Sequence, residues 1–416
     1  MDSGNRRRAV WALAIVSVTA AIAAGLVLSH STETDFLVYR YGGSHLTHPS
    51  LYSAHIRSTA GPLLFTYPPF AAVLFWPFSH ISLSVGEMFW NTLSVICLWA
   101  TITISIRASL DRKLTPNEWG LATALTFPAM MLWPVRDNLT LGQVEVILLA
   151  MILLDFFVPL RVGRYSIPQG VLIGLAAAIK LTPLIFVAYL AITGRRAAAR
   201  TASISFLCAT ALTLAVTPRN SITYWTHDVL ATQRIAQPLS AGNEALHGLL
   251  PRLGLFLPSL SMDLVSLVVL GLGLVIAGRV GRRFGTLPGL LVCASVGLIV
   301  SPISWTQHYV WIVPAICWVV ASHLQMIRKV FAVAVLVVVF GTEPTWLQSD
   351  APTRGNWWFF LQADTYVLTA VCFVVFMAVL VVRSERSTVA AGIGDDRPLT
   401  SLPSEPSPPG RWVGGT

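Results

Sequence analysis

The chain has 416 residues, of which 55% are hydrophobic and only 11% are charged, and its mean hydropathy is +0.68. Soluble domains carry roughly 25% charged residues, so this deficit excludes an ordinary soluble protein and indicates a polytopic membrane protein. The net charge of +9 does not indicate a nucleic-acid partner, because the arginines cluster in short loops and no basic face with interleaved aromatic residues is present. The expected partner is the lipid bilayer.

The apolar runs lack the alternating polarity of barrel strands, and backbone groups within lipid must be hydrogen-bonded inside their own segment, so the fold class is all-α. With ~20 apolar residues per crossing, the chain predicts about 12 transmembrane helices, several of them too short to cross alone. The predicted helices are 9–29, 82–106, 117–134, 143–160, 167–179, 184–194, 201–217, 257–278, 286–303, 309–323, 330–342 and 363–382. A further apolar segment, 69–79, is predicted to be re-entrant or juxtamembrane.

The distribution of basic residues predicts the orientation of these helices. Arg6-Arg7-Arg8 precedes the first span, and most other Arg and Lys residues fall in every second loop. The positive-inside rule therefore places both termini in the cytoplasm of a multi-pass plasma-membrane protein. Residues 1–383 are predicted to form one transmembrane domain, and 384–416, rich in Pro, Ser and Gly, a disordered cytoplasmic tail. The outer side then carries the polar segments 30–66, 135–142, 218–256, 304–308 and 343–362.

An acidic residue, Asp35, follows the first span at the water–lipid boundary, opposite the arginines. A carboxylate in this place is suited to act as a base on a lipid-linked substrate, although a solvated helix end is the structural alternative. Tyr39 and Tyr67 belong to the same outer segment, and Tyr67 precedes a rigid Pro-Pro entry into 69–79. Aromatic residues at this level are also expected as interface anchors.

Further polar residues interrupt the apolar runs downstream. Arg136, Asn138, Gln143 and Glu145 lie in a polar island, and Gln143 and Glu145 fall inside a predicted helix, where polar groups usually face a cavity or the bundle interior. Lys180 lies deep between apolar flanks beside Pro183, so it needs an anion or a carboxylate, and a phosphate is a fitting partner.

Two later outer segments add candidate ligands of a sugar phosphate. Trp305 is suited to stack on a sugar face, and His308 is suited to donate to a phosphate oxygen. Asn243 offers an amide in a Gly-bounded turn. No Walker loop, dinucleotide fingerprint, zinc-protease motif or nucleophile elbow is present, so no cofactor is expected. No acidic pair recurs in the outer segments, and no metal is predicted.

An ordered set of motifs resembles family 87 of the glycosyltransferases, within the polytopic GT-C superfamily. The motifs are Asp35-Phe-x-Val-Tyr39, Phe65-Thr-Tyr67-Pro-Pro69, Arg136-x-Asn138-x-x-x-Gly142-Gln143, Lys180-Leu-Thr-Pro183, Gly242-Asn243 with Gly248, and Ser301-Pro-x-Ser-Trp305-x-x-His308. They cover nearly the whole chain. The resemblance is greatest to the mycobacterial type that extends phosphatidylinositol mannosides and lipomannan.

The resemblance implies a GT-C-like fold, a polyprenyl-phosphate sugar donor, a glycolipid acceptor, an α-(1→2) mannosyl product and a catalytic Asp in the first outer segment. We therefore expect Asp35 to be the general base of an inverting transfer. Lys180, Arg136 and His308 are expected at the donor phosphate. The residues expected to contact sugar or acceptor are Tyr39, Tyr67, Asn138, Gln143, Asn243 and Trp305. Two alternatives remain open: an arabinofuranosyltransferase of the same family, and a lipid or sugar transporter or flippase.

Overall fold

A computed structural model describes residues 3–28, 34–58, 61–231, 242–342 and 363–393, and it is mostly helical. The helices are α1 (Ser3–Leu28), α2 (Thr34–Ser44), α3 (Pro69–Phe75), α4 (Leu83–Leu110), α5 (Pro116–Ala124), α6 (Thr126–Met130), α7 (Trp133–Leu141), α8 (Glu145–Phe157), α9 (Val171–Ile179), α10 (Leu184–Ile192), α11 (Arg196–Val216), α12 (Pro218–Thr226), α13 (Leu246–Arg252), α14 (Ser259–Phe284), α15 (Thr286–Val300), α16 (Ile312–Ala321), α17 (Met326–Gly341) and α18 (Thr365–Ile393). Shorter 3-10 segments cover Trp76–His80, Asp228–Leu230 and Thr306–Trp311. Strand β1 (Ile56–Ser58) pairs antiparallel with β2 (Gly61–Leu63), and β3 (Arg161–Val162) with β4 (Tyr165–Ser166).

The helices have the character of membrane spans, although few of them are long. Within the described ranges, four helices are long and apolar enough to cross a membrane, namely α4, α11, α14 and the Thr365–Arg386 part of α18. The pair α7 and α8, bent by 114°, makes a fifth if it counts as one broken span. The predicted helical membrane character is thus confirmed, whereas the predicted number of crossings stays a prediction.

Two sequence-based boundaries are wrong, and Pro134 and Gly142, at the two ends of α7, lie where the structure differs. The predicted helix 117–134 is divided into α5, α6 and the start of α7, and Pro134 lies in the first turn of α7. The predicted outer segment 135–142 is not a loop, because α7 covers most of it up to Gly142. The outer segment 30–66 likewise contains α2. Helix α18 continues to Ile393, and the remainder of the tail lies outside the described residues, as do 232–241 and 343–362 of the outer segments.

An aromatic cluster fixes α2 against α3. Tyr39 is fully buried and stacks on Phe75 with ring centroids 4.4 Å apart, and Trp90 of α4 closes the cluster on the other side at 5.2 Å from Phe75. The close approach of the two helices needs Gly43, because a Cβ atom there would lie 2.4 Å from the carbonyl oxygen of Phe75. Stacked aromatic pairs add to the free energy of burial. The cluster therefore holds the first turn of α2, with Asp35, in a defined place.

Three breaks between helices lie at or next to side chains that contact one another. They are Gly142–Val144 between α7 and α8, Lys180–Pro183 between α9 and α10, and Ser301–Trp305 between α15 and the 3-10 segment before α16. Gly142 makes the first break with a left-handed φ of 68°. Helices α9 and α10 are each about 13 Å long at 1.5 Å per residue, so neither is long enough to span a ~30 Å hydrocarbon layer alone.

Candidate active site

The first helix break brings Gln143 to Asp35. Asp35 lies in the first turn of α2 and is half-buried, and the Gln143 side chain is hydrogen-bonded to its carboxyl group. The hydroxyl of Tyr39 donates to Gln143 Oε1 at 3.0 Å, and the hydroxyl of Tyr67 lies 3.4 Å from the same oxygen. Because these hydroxyls engage the amide oxygen, the amide N–H₂ is the group that faces Asp35. Tyr39 follows Asp35 by four residues and so shares its helix face.

The second and third breaks bring Lys180 and His308 to Glu145. Lys180 Nζ forms an ion pair with Glu145 Oε1. His308 Nε2 lies 3.3 Å from that same oxygen and 3.1 Å from Lys180 Nζ. The buried ammonium of Lys180 thus has a carboxylate as its partner. Gln143 and Glu145 are two residues apart where α8 begins. One short stretch of backbone therefore carries both the side chain next to Asp35 and the side chain that contacts Lys180 and His308.

The backbone of the third break selects the tautomer of His308. The Trp305 N–H donates to His308 Nδ1 at 3.2 Å. In a neutral imidazole the other nitrogen then carries the proton, so Nε2–H points to Glu145 Oε1. His308 thus offers a donor to an oxygen that Lys180 also contacts. Two donors directed at one oxygen also suit a phosphate oxygen.

The electrostatics of Asp35 suit a base that works near neutral pH. Asp35 belongs to α2, outside the helices that could cross the membrane. Burial raises the pKa of its carboxyl group from 3.8 to about 7, and the negative charge of Glu145 adds to the rise. The hydrogen bond from Gln143 and the positive charge of Lys180 act in the opposite direction. A carboxyl group with this pKa accepts a proton readily at neutral pH and is still substantially ionised.

The other predicted site residues are placed unevenly. Asn138 is buried, and its Nδ2 donates to Glu145 Oε2 at 3.3 Å. Trp305 is half-buried beside His308. Arg136 is exposed, and its guanidinium lies 5.5 Å from the centre of the Trp133 ring. The structure therefore brings Asn138 and Trp305 to the group around Glu145 and leaves Arg136 at a surface.

Asn243 is engaged with backbone. Its Nδ2 donates to the Pro302 carbonyl at 2.9 Å, and its Oδ1 accepts from the Ser304 N–H at 3.0 Å. The side chain is completely buried. Both ends of the amide are thus hydrogen-bonded to the helix break that carries His308, so the geometry indicates a positioning residue.

Sequence reasoning missed the roles of two carboxylates. Glu145 is the centre of the Lys180 side of the group, although only its unusual place inside an apolar run was noted. Asp137 accepts a hydrogen bond from Thr306 and contributes to the raised pKa of Asp35. The available signal was that Glu145 and Lys180 are both charged residues at the ends of apolar segments, and such residues at equal depth tend to pair. In the described ranges, no three His, Cys, Asp or Glu side chains are grouped to hold a metal ion.

The comparisons with known proteins identify the family. Residues 65–302 match the model of glycosyltransferase family 87. The chain is 30% identical to a polyprenol-phosphate-mannose-dependent alpha-(1-2)-phosphatidylinositol mannoside mannosyltransferase of Mycobacterium tuberculosis, with 96% of each chain covered. The chain belongs to glycosyltransferase family 87. A protein of the same name from Mycolicibacterium smegmatis is 33% identical over 88% of each chain.

A further relative differs in the acceptor that its name gives. A polyprenol-phosphate-mannose-dependent alpha-(1-2)-phosphatidylinositol pentamannoside mannosyltransferase of Mycobacterium tuberculosis is 30% identical over 75% of this chain and 72% of its own. No solved structure matches the chain. Membership of family 87 decides for an enzyme, a glycosyltransferase, over a transporter. Asp35 and His308 lie outside the matched residues 65–302, so the argument for their roles rests on the geometry described above.

Proposed function

We propose that this chain transfers mannose from a polyprenyl-phosphate donor to a hydroxyl of a phosphatidylinositol mannoside or a lipomannan-like glycolipid, forming an α-(1→2) linkage. The activities that the relatives are named for support the donor, the sugar and the acceptor class. The observation that carries the proposal is the connection of a base to two hydrogen-bond donors that suit a phosphate. Gln143 and Glu145, at the start of α8, contact Asp35 on one side and Lys180 and His308 on the other.

Asp35 acts as the general base of a single displacement. It takes the proton from the acceptor hydroxyl while that oxygen forms a bond to the anomeric carbon of the donor. The bond between this carbon and the phosphate oxygen breaks, and polyprenyl phosphate leaves. One carboxylate suffices for this inverting reaction, so a β-linked donor gives an α-linked product. General-base catalysis of this kind contributes typically ~10²–10⁴-fold in rate.

Lys180 and His308 bind the donor phosphate and offset the charge that develops on the leaving group. Preorganised donors of this type stabilise a transition state strongly where water is excluded. Arg136, exposed beside Trp133, is proposed to contact the phosphate at the opening of the site. Trp305 stacks on a sugar ring. Tyr67 and Asn138 lie at the edges of the group and contact sugar hydroxyls, while Tyr39 and Gln143 orient the Asp35 carboxylate.

The membrane arrangement that we propose is GT-C-like, with about 12 transmembrane helices and short re-entrant or juxtamembrane helices on the outer face. The short α9 and α10 support a cleft that reaches half-way into the bilayer. The site faces away from the cytoplasm, and both termini are cytoplasmic.

A cysteine at exposed Ser53, in a background without the five native cysteines, should react with an impermeant thiol reagent on intact cells. A cysteine at exposed Val162, the matched control, should react only after permeabilisation. The reverse pattern would refute the orientation.

A transfer assay tests the function directly. Purified protein in lipid vesicles should extend a phosphatidylinositol mannoside by one mannose when polyprenyl-phosphate mannose is supplied, and mass spectrometry of the extracted glycolipid measures this. Polyprenyl-phosphate arabinose is the matched donor for the alternative activity, arabinofuranosyl transfer. Pentose transfer in place of mannose, or no glycolipid product with either donor, would overturn the proposal.

A further inference from the structure

Glu145 occupies the position that a donor phosphate oxygen would take. Its Oε1 is ion-paired with Lys180 Nζ and lies 3.3 Å from the protonated Nε2 of His308. These two donors are the ones assigned to the phosphate in the proposed function. A carboxylate and a phosphate oxygen cannot accept from the same pair of donors at the same place, and two anions in close contact repel each other.

We propose that Glu145 is a built-in competitor of the donor phosphate: it holds Lys180 and His308 while the site is empty and releases them when the donor binds. This inference rests on the proposed function, since it takes Lys180 as the phosphate-binding residue. It assigns Glu145 a regulatory role in donor binding and product release, separate from the role of the base.

Lys180 needs a counter-ion from the protein because its ammonium group is largely buried. A buried ammonium without a counter-ion is strongly destabilising, and the Lys180 side chain is only 17% exposed. Between catalytic cycles the donor is absent, so the counter-ion must come from the protein. Glu145, whose side chain is 9% exposed, supplies it.

The structure also gives Glu145 and Lys180 each a second interaction partner. Asn138 Nδ2 donates to Glu145 Oε2 at 3.3 Å, so the carboxylate keeps a hydrogen bond after Lys180 leaves. Lys180 Nζ lies 5.7 Å from the centre of the Tyr67 ring, within the range of a cation–π contact. Lysine carries its charge on a flexible stem with rotatable donors. Lys180 can therefore turn from Glu145 to a phosphate without losing all of its partners.

The exchange has two consequences for the reaction. Donor binding is weaker than the bare Lys180–His308 pair would allow, because the Glu145 ion pair is broken first. Release of polyprenyl phosphate is faster, because Glu145 recaptures Lys180 as the product leaves. Removing the charge of Glu145 should therefore tighten the binding of the phosphate and slow its release, a result that damage to the fold would not give.

The test compares the binding of polyprenyl phosphate, the product without its sugar, to wild-type and variant protein in lipid nanodiscs. Glu145→Gln keeps the size and the hydrogen bonds of the side chain. We expect it to bind polyprenyl phosphate about tenfold more tightly or more, because a unit charge a few ångströms from the phosphate is removed. We also expect lower turnover and stronger inhibition by polyprenyl phosphate.

Asp155→Asn is the matched control. Asp155 is a second buried carboxylate on α8, and it accepts hydrogen bonds from the Gly170 N–H at 2.6 Å and the Ile173 N–H at 3.0 Å at the start of α9. This variant removes a buried charge from the same helix about 15 Å from Glu145, at 1.5 Å per residue. We expect its affinity for polyprenyl phosphate to match that of the wild type.

A second pair of variants keeps the proposal testable if Glu145→Gln alone fails to fold. Lys180→Gln should weaken the binding of polyprenyl phosphate, and adding Glu145→Gln to it should restore part of the lost affinity, because the carboxylate that repels the phosphate is gone. The double variant has no unpaired buried charge at this position. If Glu145→Gln weakens binding or leaves it unchanged in both backgrounds, the competitor role is wrong while the role of Lys180 stands. If Lys180→Gln does not weaken binding, the phosphate assignment in the proposed function is wrong instead.

Discussion

Two clusters of buried charged side chains differ in what their charged groups contact. At the first, the site cluster of Asp35, Gln143, Glu145, Lys180 and His308, two donors share one carboxylate oxygen and Lys180 keeps 17% of its side chain exposed. At the second, the clamp cluster of Asn243, Glu244, Arg252 and Asp364, the Arg252 and Asp364 side chains are 6% and 0% exposed.

The hydrogen bonds of the clamp cluster join its members to each other and to nearby backbone groups. Arg252 Nε lies 2.9 Å from each oxygen of Asp364, and Arg252 Nη2 donates to the Asn243 carbonyl at 2.6 Å. Glu244 Oε2 accepts from the Val367 N–H at 3.2 Å, in the first turn of α18. These contacts tie α13, α18 and the helix break at Ser301–Trp305 together. The comparison teaches that a buried ion pair by itself does not mark an active site. The donor side chains of the two clusters differ in exposure, because Lys180 is 17% and His308 11% exposed, whereas Arg252 is 6% exposed.

The largest difference should appear in stability. Arg252→Gln leaves the Asp364 carboxylate buried without its partner, and breaking a buried pair in this way costs about 3–5 kcal/mol. We expect a marked loss of folded protein and a lower melting temperature in detergent. Lys180→Gln leaves Glu145 with Asn138 and His308 as hydrogen-bond partners, so it should melt closer to the wild type. Equal losses for the two variants would remove the distinction between the clusters.

A smaller effect should link the clamp cluster to catalysis. Asn243→Ala removes both hydrogen bonds to the break that carries His308, and buried donors and acceptors left without partners cost about 1–3 kcal/mol. We expect lower turnover and weaker binding of polyprenyl phosphate, both of which can be measured in nanodiscs, together with a modest fall in melting temperature. Asn220→Ala is the matched control, because Asn220 Nδ2 donates two hydrogen bonds, to the Leu46 and His48 carbonyls, away from the break. Equal effects of the two variants on donor binding would contradict the positioning role.

The pH dependence of turnover gives the smallest effect. The base must be ionised to accept a proton, and the pKa of Asp35 is raised to about 7. Turnover should therefore rise with pH by about tenfold between pH 6 and pH 8. Glu145→Gln removes a negative charge that raises the pKa of Asp35, so the midpoint should move to lower pH. A rate that is constant over this range would show that Asp35 does not limit the reaction as a base.

Much of the site could be predicted from the sequence, because polar residues inside apolar runs are conspicuous. Lys180 and Gln143 stood out for this reason, and the structure pairs Lys180 with Glu145, two residues after Gln143. The helical, membrane-capable character followed from composition in the same way. These inferences need only the cost of burying a polar group, which acts on each residue separately.

The remainder depended on long-range contacts that a local pattern does not encode. Asn243 was expected at the sugar, but its amide is hydrogen-bonded to Pro302 and Ser304. Glu145 received no role, because its importance comes from Lys180, 35 positions later in the chain. The predicted helix 117–134 failed because several short helices replace one span there. Such breaks are stable only when packing and buried partners satisfy the freed backbone groups.

The central claim is that the site cluster joins a base to a donor-phosphate site, and Asp35→Asn tests it most directly. Binding of polyprenyl-phosphate mannose and formation of the mannosylated glycolipid are measured on one preparation. Turnover should fall by ~10²–10⁴-fold, while donor affinity stays within a few-fold of the wild type. Because folding raises the pKa of Asp35 to about 7, the ionised carboxylate lowers the free energy of unfolding at pH 8. Asn carries no charge, so the melting temperature of the variant should not fall at this pH. Near-wild-type turnover by the folded variant would contradict the account.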